Sequence, residues 1–350
     1  MIVKDFRYFP FTSKLPSPLI TTKGVFSKKK GFIVSMTNEE EKTFFGEAAP
    51  LPPFSEETIG EIEAGLKVAR EKILAKSILL DRKSIEELLD DDISNSVRFA
   101  VESILIQFAS KKKNETDLFN GLTFSESVNV NAVASGDNLA DTVKALLRQG
   151  FNAIKIKIGT KDFEEELRII QNIEETSEGK IQLRLDVNGK WSLTEAKEYL
   201  PRLGGFNIQY IEEPVSGMNA LLELAECSPI PIAIDESLSN YDDAFELLEN
   251  KHLKYFVIKP ARFGGLIKLF DFIKAANNAN KFIVISSSLE TSVGKGVLAF
   301  AASAVAHDLA HGLGIVSEID GLNIEDPLPV KQAKISLENF PATFEDLRNR

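Results

Sequence analysis

From residue 125 onward, short apolar runs of strand character recur at a near-constant step, and that rhythm leaves few folds open. The runs are 128–133, 153–158, 181–187, 208–211, 230–234, 255–258, 282–285 and 313–316. Helical patterns fill most of the intervals, as at 163–175, 194–203, 242–248 and 266–277. Each step is roughly 20–30 residues, the length of one strand plus one helix. Such alternation predicts parallel strands, with no antiparallel return, in an open doubly wound sheet or a closed (β/α)8 barrel. Eight units in about 200 residues favour the barrel. An open sheet also calls for a glycine-rich phosphate loop after its first strand; that place holds Ala134-Ser135-Gly136-Asp137 instead.

Before residue 125 the chain has a different character. Strands are expected at 2–11, 32–37 and 44–48, with Lys28-Lys29-Lys30-Gly31 as a turn. A proline-rich loop, Pro50-Leu51-Pro52-Pro53, follows. Ser55 then caps a helix whose apolar spacing runs to about Leu80, and two more helices fit 85–89 and 96–110. The lysine runs at 28–30 and 111–113 read as solvated turns.

Charge and cysteine usage narrow the function. Acids outnumber bases 52 to 41, a formal charge of −11. That excludes a general nucleic-acid binder, which needs a basic surface to displace counterions, and disfavours docking on anionic lipid. Cys227 is the one cysteine. It rules out a disulfide framework and a zinc site of several thiolates. The start, Met1-Ile2-Val3-Lys4-Asp5-Phe6-Arg7, lacks a signal-peptide pattern, and the weakly charged stretch 296–306 is too short to span a bilayer. A cytoplasmic protein without membrane or nucleic-acid partners is expected.

Ionisable groups interrupt the apolar runs at one end only. Lys155 and Lys157 close the second run, and Arg184 and Asp186, followed by the polar Asn188, the third. Glu212-Glu213-Pro214 closes the fourth, Asp235-Glu236-Ser237 the fifth and Lys259-Pro260 the sixth. Asp186, Glu212, Asp235 and Lys259 are separated by 26, 23 and 24 residues, about one strand–helix unit each. In a barrel those ends form the face on which active sites are built. Three carboxylates converging there repel one another and lose solvation unless a cation lies between them. Oxygen ligands without His or Cys point to Mg²⁺, with Mn²⁺ as the alternative. His252, His307 and His311 are too scattered to form a metal set. Lysines on both flanks of such an ion suit removal of a proton α to the carboxylate of a small-molecule substrate. Lys155 shares a strand face with Lys157. Glu213 and Glu236 read either as orienters of the ligand set or as helix-start residues.

These motifs resemble the enolase superfamily over nearly the whole chain, and the paired lysines with the later single lysine resemble its muconate lactonizing enzyme subgroup. Within that subgroup the resemblance is to the o-succinylbenzoate synthase family. It is carried by Gly46-Glu47-Ala48-Ala49-Pro50-Leu51-Pro52, by Leu183-Arg184-Leu185-Asp186-Val187-Asn188 with Trp191, and by Ile211-Glu212-Glu213-Pro214. Asp235-Glu236-Ser237-Leu238, Val257-Ile258-Lys259-Pro260 and Ile285-Ser286-Ser287-Ser288-Leu289-Glu290-Thr291-Ser292-Val293-Gly294 complete it. The resemblance implies an N-terminal α+β capping domain over 1–124, a catalytic (β/α)8 TIM-type barrel over 125–325, and a segment, 326–350, packing back on the cap. It implies Mg²⁺ on Asp186, Glu212 and Asp235, Lys157 as base and then acid, Lys155 as its tuner, and Lys259 as electrostatic stabiliser. Ser286, Ser287 and Ser288 would face the succinyl chain, with Asn188 and Arg184 as further substrate contacts. Phe6, Phe26 and Phe54 either line the site from the cap or pack in the core. The implied reaction is a lyase step of menaquinone biosynthesis: syn-dehydration of 2-succinyl-6-hydroxy-2,4-cyclohexadiene-1-carboxylate to o-succinylbenzoate through a metal-stabilised enediolate. An N-acylamino acid racemase or dipeptide epimerase would use the same two lysines, with Glu318 and Asp320 holding a substrate ammonium. A non-catalytic barrel serving as an interaction module is the alternative of another class.

Overall fold

The computed structural model describes all residues except 22–23, 52–54, 56, 90–92, 113–115, 136–137, 239–240, 323, 345–346 and 348–350, and the side chains of 16–21, 24 and 112. Phe54, Lys113, Gly136 and Asp137 therefore lie outside the described residues. Two long strands open the chain, β1 (Val3–Thr21) and β2 (Gly24–Asn38), paired antiparallel, and β3 (Thr43–Ala48) joins β2. The lysines expected in a turn are part of β2: Lys28, Lys29 and Lys30 pair with Lys14, Ser13 and Thr12. The pleat sends alternate residues to opposite faces, so Lys28 and Lys30 are exposed while Lys29, in phase with Ile33, is buried.

Helix α1 (Ile59–Ile73) starts at Thr58 and not at Ser55. The reason is local: Thr58 is followed three residues on by Glu61, and the two exchange side chain-to-backbone hydrogen bonds as a capping box. The apolar spacing that runs on to Leu80 breaks after Ile73, and Asp81 caps a separate helix, α2 (Arg82–Leu88), through the Ser84 N–H. Helix α3 (Asn95–Ala109) is buried almost throughout. It lies so close to β3 that a Cβ on Gly46 would stand 2.2 Å from the Ala100 carbonyl oxygen.

The second region is a ring of parallel strands. β5 (Ala132–Ala134), β6 (Ala153–Lys157), β7 (Gln182–Asp186), β8 (Ile208–Glu212), β9 (Ile232–Ile234), β10 (Tyr255–Ile258) and β11 (Phe282–Ile285) hydrogen-bond in sequence order. Helices α4 (Leu139–Arg148), α5 (Phe163–Ser177), α6 (Leu193–Leu203), α7 (Met218–Cys227) and α8 (Tyr241–Leu247) alternate with them. The short α9 (Pro260–Phe263), α10 (Leu266–Asn278) and α11 (Ser292–Ala302) complete the outer layer. The eighth stave is His311–Gly312, not the expected 313–316 run. His311 bridges to Val130 and Gly312 to Ser286, both parallel, which closes the ring. The approach is close: a Cβ on residue 312 would come within 2.7 Å of Ser286 Oγ and push that hydroxyl aside.

Two antiparallel returns depart from the all-parallel expectation. The 128–133 run divides, and its first part, β4 (Ser127–Asn129), pairs antiparallel with the late strand β13 (Lys334–Ser336). After the eighth stave the chain leaves the barrel, and β12 (Glu318–Ile319) adds an edge to the cap sheet beside β1. Ala342, Phe344 and Leu347 then pack with Phe11, Ile33 and Phe45 of the cap.

The outward faces of the strands fill two separate cores. Ile154, Ile156, Leu183, Leu185 and Ile211 pack with α4–α7 in one. Ile234, Phe256, Ile258 and Ile285 belong to another, which runs without a break into Phe6, Phe32 and Val34 of the cap and into α1 and α3. The apolar 296–306 stretch falls largely in buried α11, and no helix among the described residues is long and apolar enough to cross a membrane.

Candidate active site at the barrel mouth

Period-two alternation decides which side chains enter the barrel. While the Ile and Leu positions of β6–β8 face the helices, Lys155, Lys157, Asp186 and Glu212 face inward, joined by Asp235 just after β9 and Lys259 just after β10. All six line one cavity of about 250 Å³. Strands β6 and β10 stand four places apart in a ring of eight, so Lys157 and Lys259 come from opposite sides, with the carboxylates of β7, β8 and β9 between.

Charges here are paired but not saturated. Lys155 Nζ lies 2.9 Å from Asp186 and donates to Glu212 Oε1 at 2.8 Å; Lys259 donates to Asp235. Burial works against the Lys155 ammonium, yet Glu212 and Asp186 more than offset it and hold it well above the usual lysine range. Lys259 is raised in the same way, burial being outweighed by Asp235 and Glu236. For Glu212 burial wins over Lys155 and pushes the carboxyl well up. Asp235 resists burial through Lys259 and Lys155 and stays below the ordinary carboxylate range.

Glu212, Asp235 and Glu236 each offer a carboxylate oxygen, all within 4.8 Å of one another. Among the described residues, Glu212 Oε2 and Glu236 Oε2 are buried and lack a hydrogen-bond partner. Buried, unpartnered carboxylate oxygens are costly, and a hard divalent cation satisfies such a donor set. Asp186, expected as a ligand, is not one of these three; it lines the same cavity from β7, where its Oδ1 accepts the Asn188 N–H at 3.1 Å. Glu236 thus stands among the candidate ligands, with its other oxygen accepting from Asn188 Nδ2 at 2.8 Å. Glu213 turns away: it accepts the backbone N–H groups of Asp235 and Ser237, both at 2.8 Å, and so fixes the end of β9. Burial pushes its carboxyl up to about 7.

Of the expected substrate contacts, Asn188, Ser286 and Ser287 line the cavity, whereas Arg184 and Ser288 are not among its lining residues. Arg184 has the right parity but sits one layer deeper, fully buried, donating to Gln209 and Asn131 with its guanidinium over Tyr210. Ser288 is buried as the chain turns away toward the cap. Phe6 is a core residue, and Phe26 does not line the cavity. Glu318 and Asp320 are held at the cap edge, Glu318 paired with Lys14 in β12 and Asp320 accepting from Lys28 Nζ at 3.1 Å. Sequence reasoning missed Leu51, Asn131, Tyr210 and Leu289 as lining residues. Asn131 and Tyr210 were legible from strand parity; Leu51 and Leu289 lie on loops and carry no periodic signal.

Residues 138–341 match the family Enolase C-terminal domain-like, and residues 3–101 match MenC, N-terminal domain. Protein PHYLLO, chloroplastic, of Arabidopsis thaliana is 26% identical over 76% of this chain; the chain spans only 17% of that relative's length, well short of two thirds. An o-succinylbenzoate synthase of Pasteurella multocida is 27% identical over 91% of each chain. A D-Ala-D/L-Ala epimerase of Cytophaga hutchinsonii is also 27% identical, over 84% of this chain and 82% of its own. Among solved structures, the dipeptide epimerase of Enterococcus faecalis superposes with a TM-score of 0.81 at 20% identity, covering 96% of this chain and 97% of its own. With a family model spanning more than half of the sequence and a cap-plus-barrel fold to match, the chain belongs to the enolase superfamily.

Proposed function

We propose that this chain is a Mg²⁺-dependent o-succinylbenzoate synthase, a hydro-lyase acting on 2-succinyl-6-hydroxy-2,4-cyclohexadiene-1-carboxylate. The observation that supports this reading over its nearest rival is the chemistry of one wall. Ser286 and Ser287 line the cavity beside Gly312, Gly314 and Ile315, whereas Glu318 and Asp320 are drawn off to the cap sheet. Hydroxyl donors suit a substrate with a second carboxylate; an ammonium group calls for a carboxylate in that place. Ser287 Oγ accepts from the Leu289 N–H at 2.8 Å and bonds the buried Glu290 carboxyl as well, which fixes the hydroxyl in the wall.

Asp186, Glu212 and Asp235, with Glu236 beside them, would hold Mg²⁺, which when bound supplies Lewis-acid stabilisation of negative charge on the ring carboxylate. Lys157 takes the proton α to that carboxylate. The C–O bond to the ring hydroxyl then breaks, and the Lys157 ammonium returns its proton to the departing hydroxide, so one water leaves and the ring becomes aromatic. Lys155, fixed by Asp186 and Glu212, keeps a positive charge beside Lys157. Lys259, on the opposite side, stabilises the charge that develops on the substrate.

A second reading rests on the same opposed lysines. If each exchanges a proton with one face of an N-acylamino acid, the site is a racemase. Purified protein given the cyclohexadiene acid and Mg²⁺ is expected to consume the diene absorbance, and EDTA to stop it. Absence of turnover, together with deuterium exchange at the α-carbon of N-acylamino acids, would replace the synthase by the racemase.

A further inference from the structure

Lys29, the middle member of the lysine run, is buried without a part in the chemistry proposed above. Its side chain is 0% exposed. Three acceptors surround its ammonium: Glu47 Oε1 at 3.1 Å, the Ser288 carbonyl at 3.2 Å and the Leu289 carbonyl at 3.3 Å. Glu47, on β3, turns its other oxygen to the barrel and accepts from Thr291 N at 2.8 Å and Thr291 Oγ1 at 2.7 Å. The cap therefore grips residues 288, 289 and 291 through one buried ion pair.

The gripped segment continues directly from the cavity wall. Ser286, Ser287 and Leu289 all line the cavity. Leu289 has φ +61, a left-handed conformation that a leucine adopts only when its surroundings impose it. Its carbonyl is held from two sides, by Lys29 and by Ser317 Oγ at 2.9 Å, and its N–H is tied to Ser287 Oγ. A buried ion pair contributes little stability over an apolar pair of the same size. Directed donors on two successive carbonyls do something an apolar pair cannot: they set the conformation of the peptide between them.

We infer that Lys29 and Glu47 are positioning residues, which from the cap hold residues 286–289 in the strained shape that presents Ser286, Ser287 and Leu289 to the substrate. What binds against that wall rests on the proposed function; the hold on the wall does not. The test compares the Lys29→Met/Glu47→Gln double variant with wild type, since a neutral pair of similar volume removes the donors without leaving either member charged alone, while the neighbouring buried Glu290 loses one attraction (Lys29) and one repulsion (Glu47). Thr291→Val and Thr291→Ser form a milder pair, the second keeping the hydroxyl. In the double variant KM for the diene acid is expected to rise about tenfold with kcat changed less than about threefold, and Mg²⁺ affinity measured by calorimetry to stay within about twofold. Amide exchange in 286–291 is expected to quicken about tenfold while 184–188 and 210–213 keep their protection. Thr291→Val follows in the same direction, and Thr291→Ser behaves as wild type. Unchanged KM and unchanged exchange at 286–291 in a cooperatively melting variant would overturn the inference, as would a parallel loss of Mg²⁺ affinity. If the double variant does not fold, the threonine pair decides by the same readings. Should wild type turn over neither the diene acid nor an N-acylamino acid, the functional reading fails while the exchange measurement still judges the hold.

Discussion

The early and late halves of the barrel are built from the same unit but anchored differently. Strands β5–β8 with α4–α7 bury their outward faces in a core of their own. Strands β10 and β11 with α9–α11 share one core with the cap, and β9 straddles the divide, Ile232 facing the first core and Ile234 the second. Of the residues assigned to the proton and the metal, Lys155, Lys157, Asp186 and Glu212 stand on the early half, and Asp235 and Glu236 follow β9 at the divide. Lys259, Ser286 and Ser287 stand on the late half. The inferred hold of the cap therefore acts first on the wall of Ser286 and Ser287, which shares the late half with Lys259.

Substitutions on the two halves should consequently have separable effects. Lys157→Ala on the early half is expected to lower kcat by roughly 10³-fold, the range for loss of a general base, and to leave KM within a few-fold. Steady-state kinetics decide; a KM change of equal size would contradict the assignment.

At the seam between cap and late half, Glu102 of α3 accepts the Ile267 N–H of α10 at 3.0 Å and the Leu266 N–H beside it. Burial outweighs these bonds and pushes its carboxyl up to about 7. Unfolded, it returns to an ordinary 4.5. Between those values the native state holds a proton that the unfolded chain has released, so this group's contribution is full below pH 4.5 and is lost as pH rises to about 7. The difference in stability between Glu102→Gln and wild type, from urea titrations, should shift in the variant's favour by about 3 kcal/mol between pH 4.5 and pH 8. A pH-independent difference would show that the seam carries the carboxylate in its charged form.

Mg²⁺ held at the proposed site would stabilise only the folded state. At about 100 times its Kd the ion should add about 2.7 kcal/mol to unfolding free energy in wild type and nothing in Glu212→Gln. Stabilisation persisting in that variant would place the ion elsewhere. The smallest effect is expected at Glu236, whose carboxyl is raised by burial and by Asp235. Without metal, Glu236→Gln should change stability by no more than about 1 kcal/mol, in the stabilising direction. Marked destabilisation would mean that its bond to Asn188 matters more than its unpaired oxygen.

Much of the ring and its mouth was legible because buried parallel strands leave a strong signal: apolar runs at a fixed step, each stopped by a charge. Parity would also have placed Asn131 and Tyr210, which a reading confined to charged residues passed over. What escaped had other causes. Lys29 looked like part of a solvated turn because a run of three lysines masks the alternation that hides one of them. Arg184 shares parity with Asp186, and only depth separates a floor residue from a mouth residue. The eighth stave escaped because His311 and Gly312 are poor strand formers held there by backbone bonds to Asn129 and Ile285. Thr58, rather than Ser55, opens α1 because the partner at the third helical position decides the cap.

The cap sheet takes its outer strand from residues 318–319, and its inner face takes Ala342 and Phe344. During synthesis the cap strands are therefore made well before the segments that complete them. At about 5–20 residues per second, Phe11, Ile33 and Phe45 wait tens of seconds for their late partners, with the edge of β1 open to any other strand. Chaperone dependence of the nascent chain should concentrate in that interval.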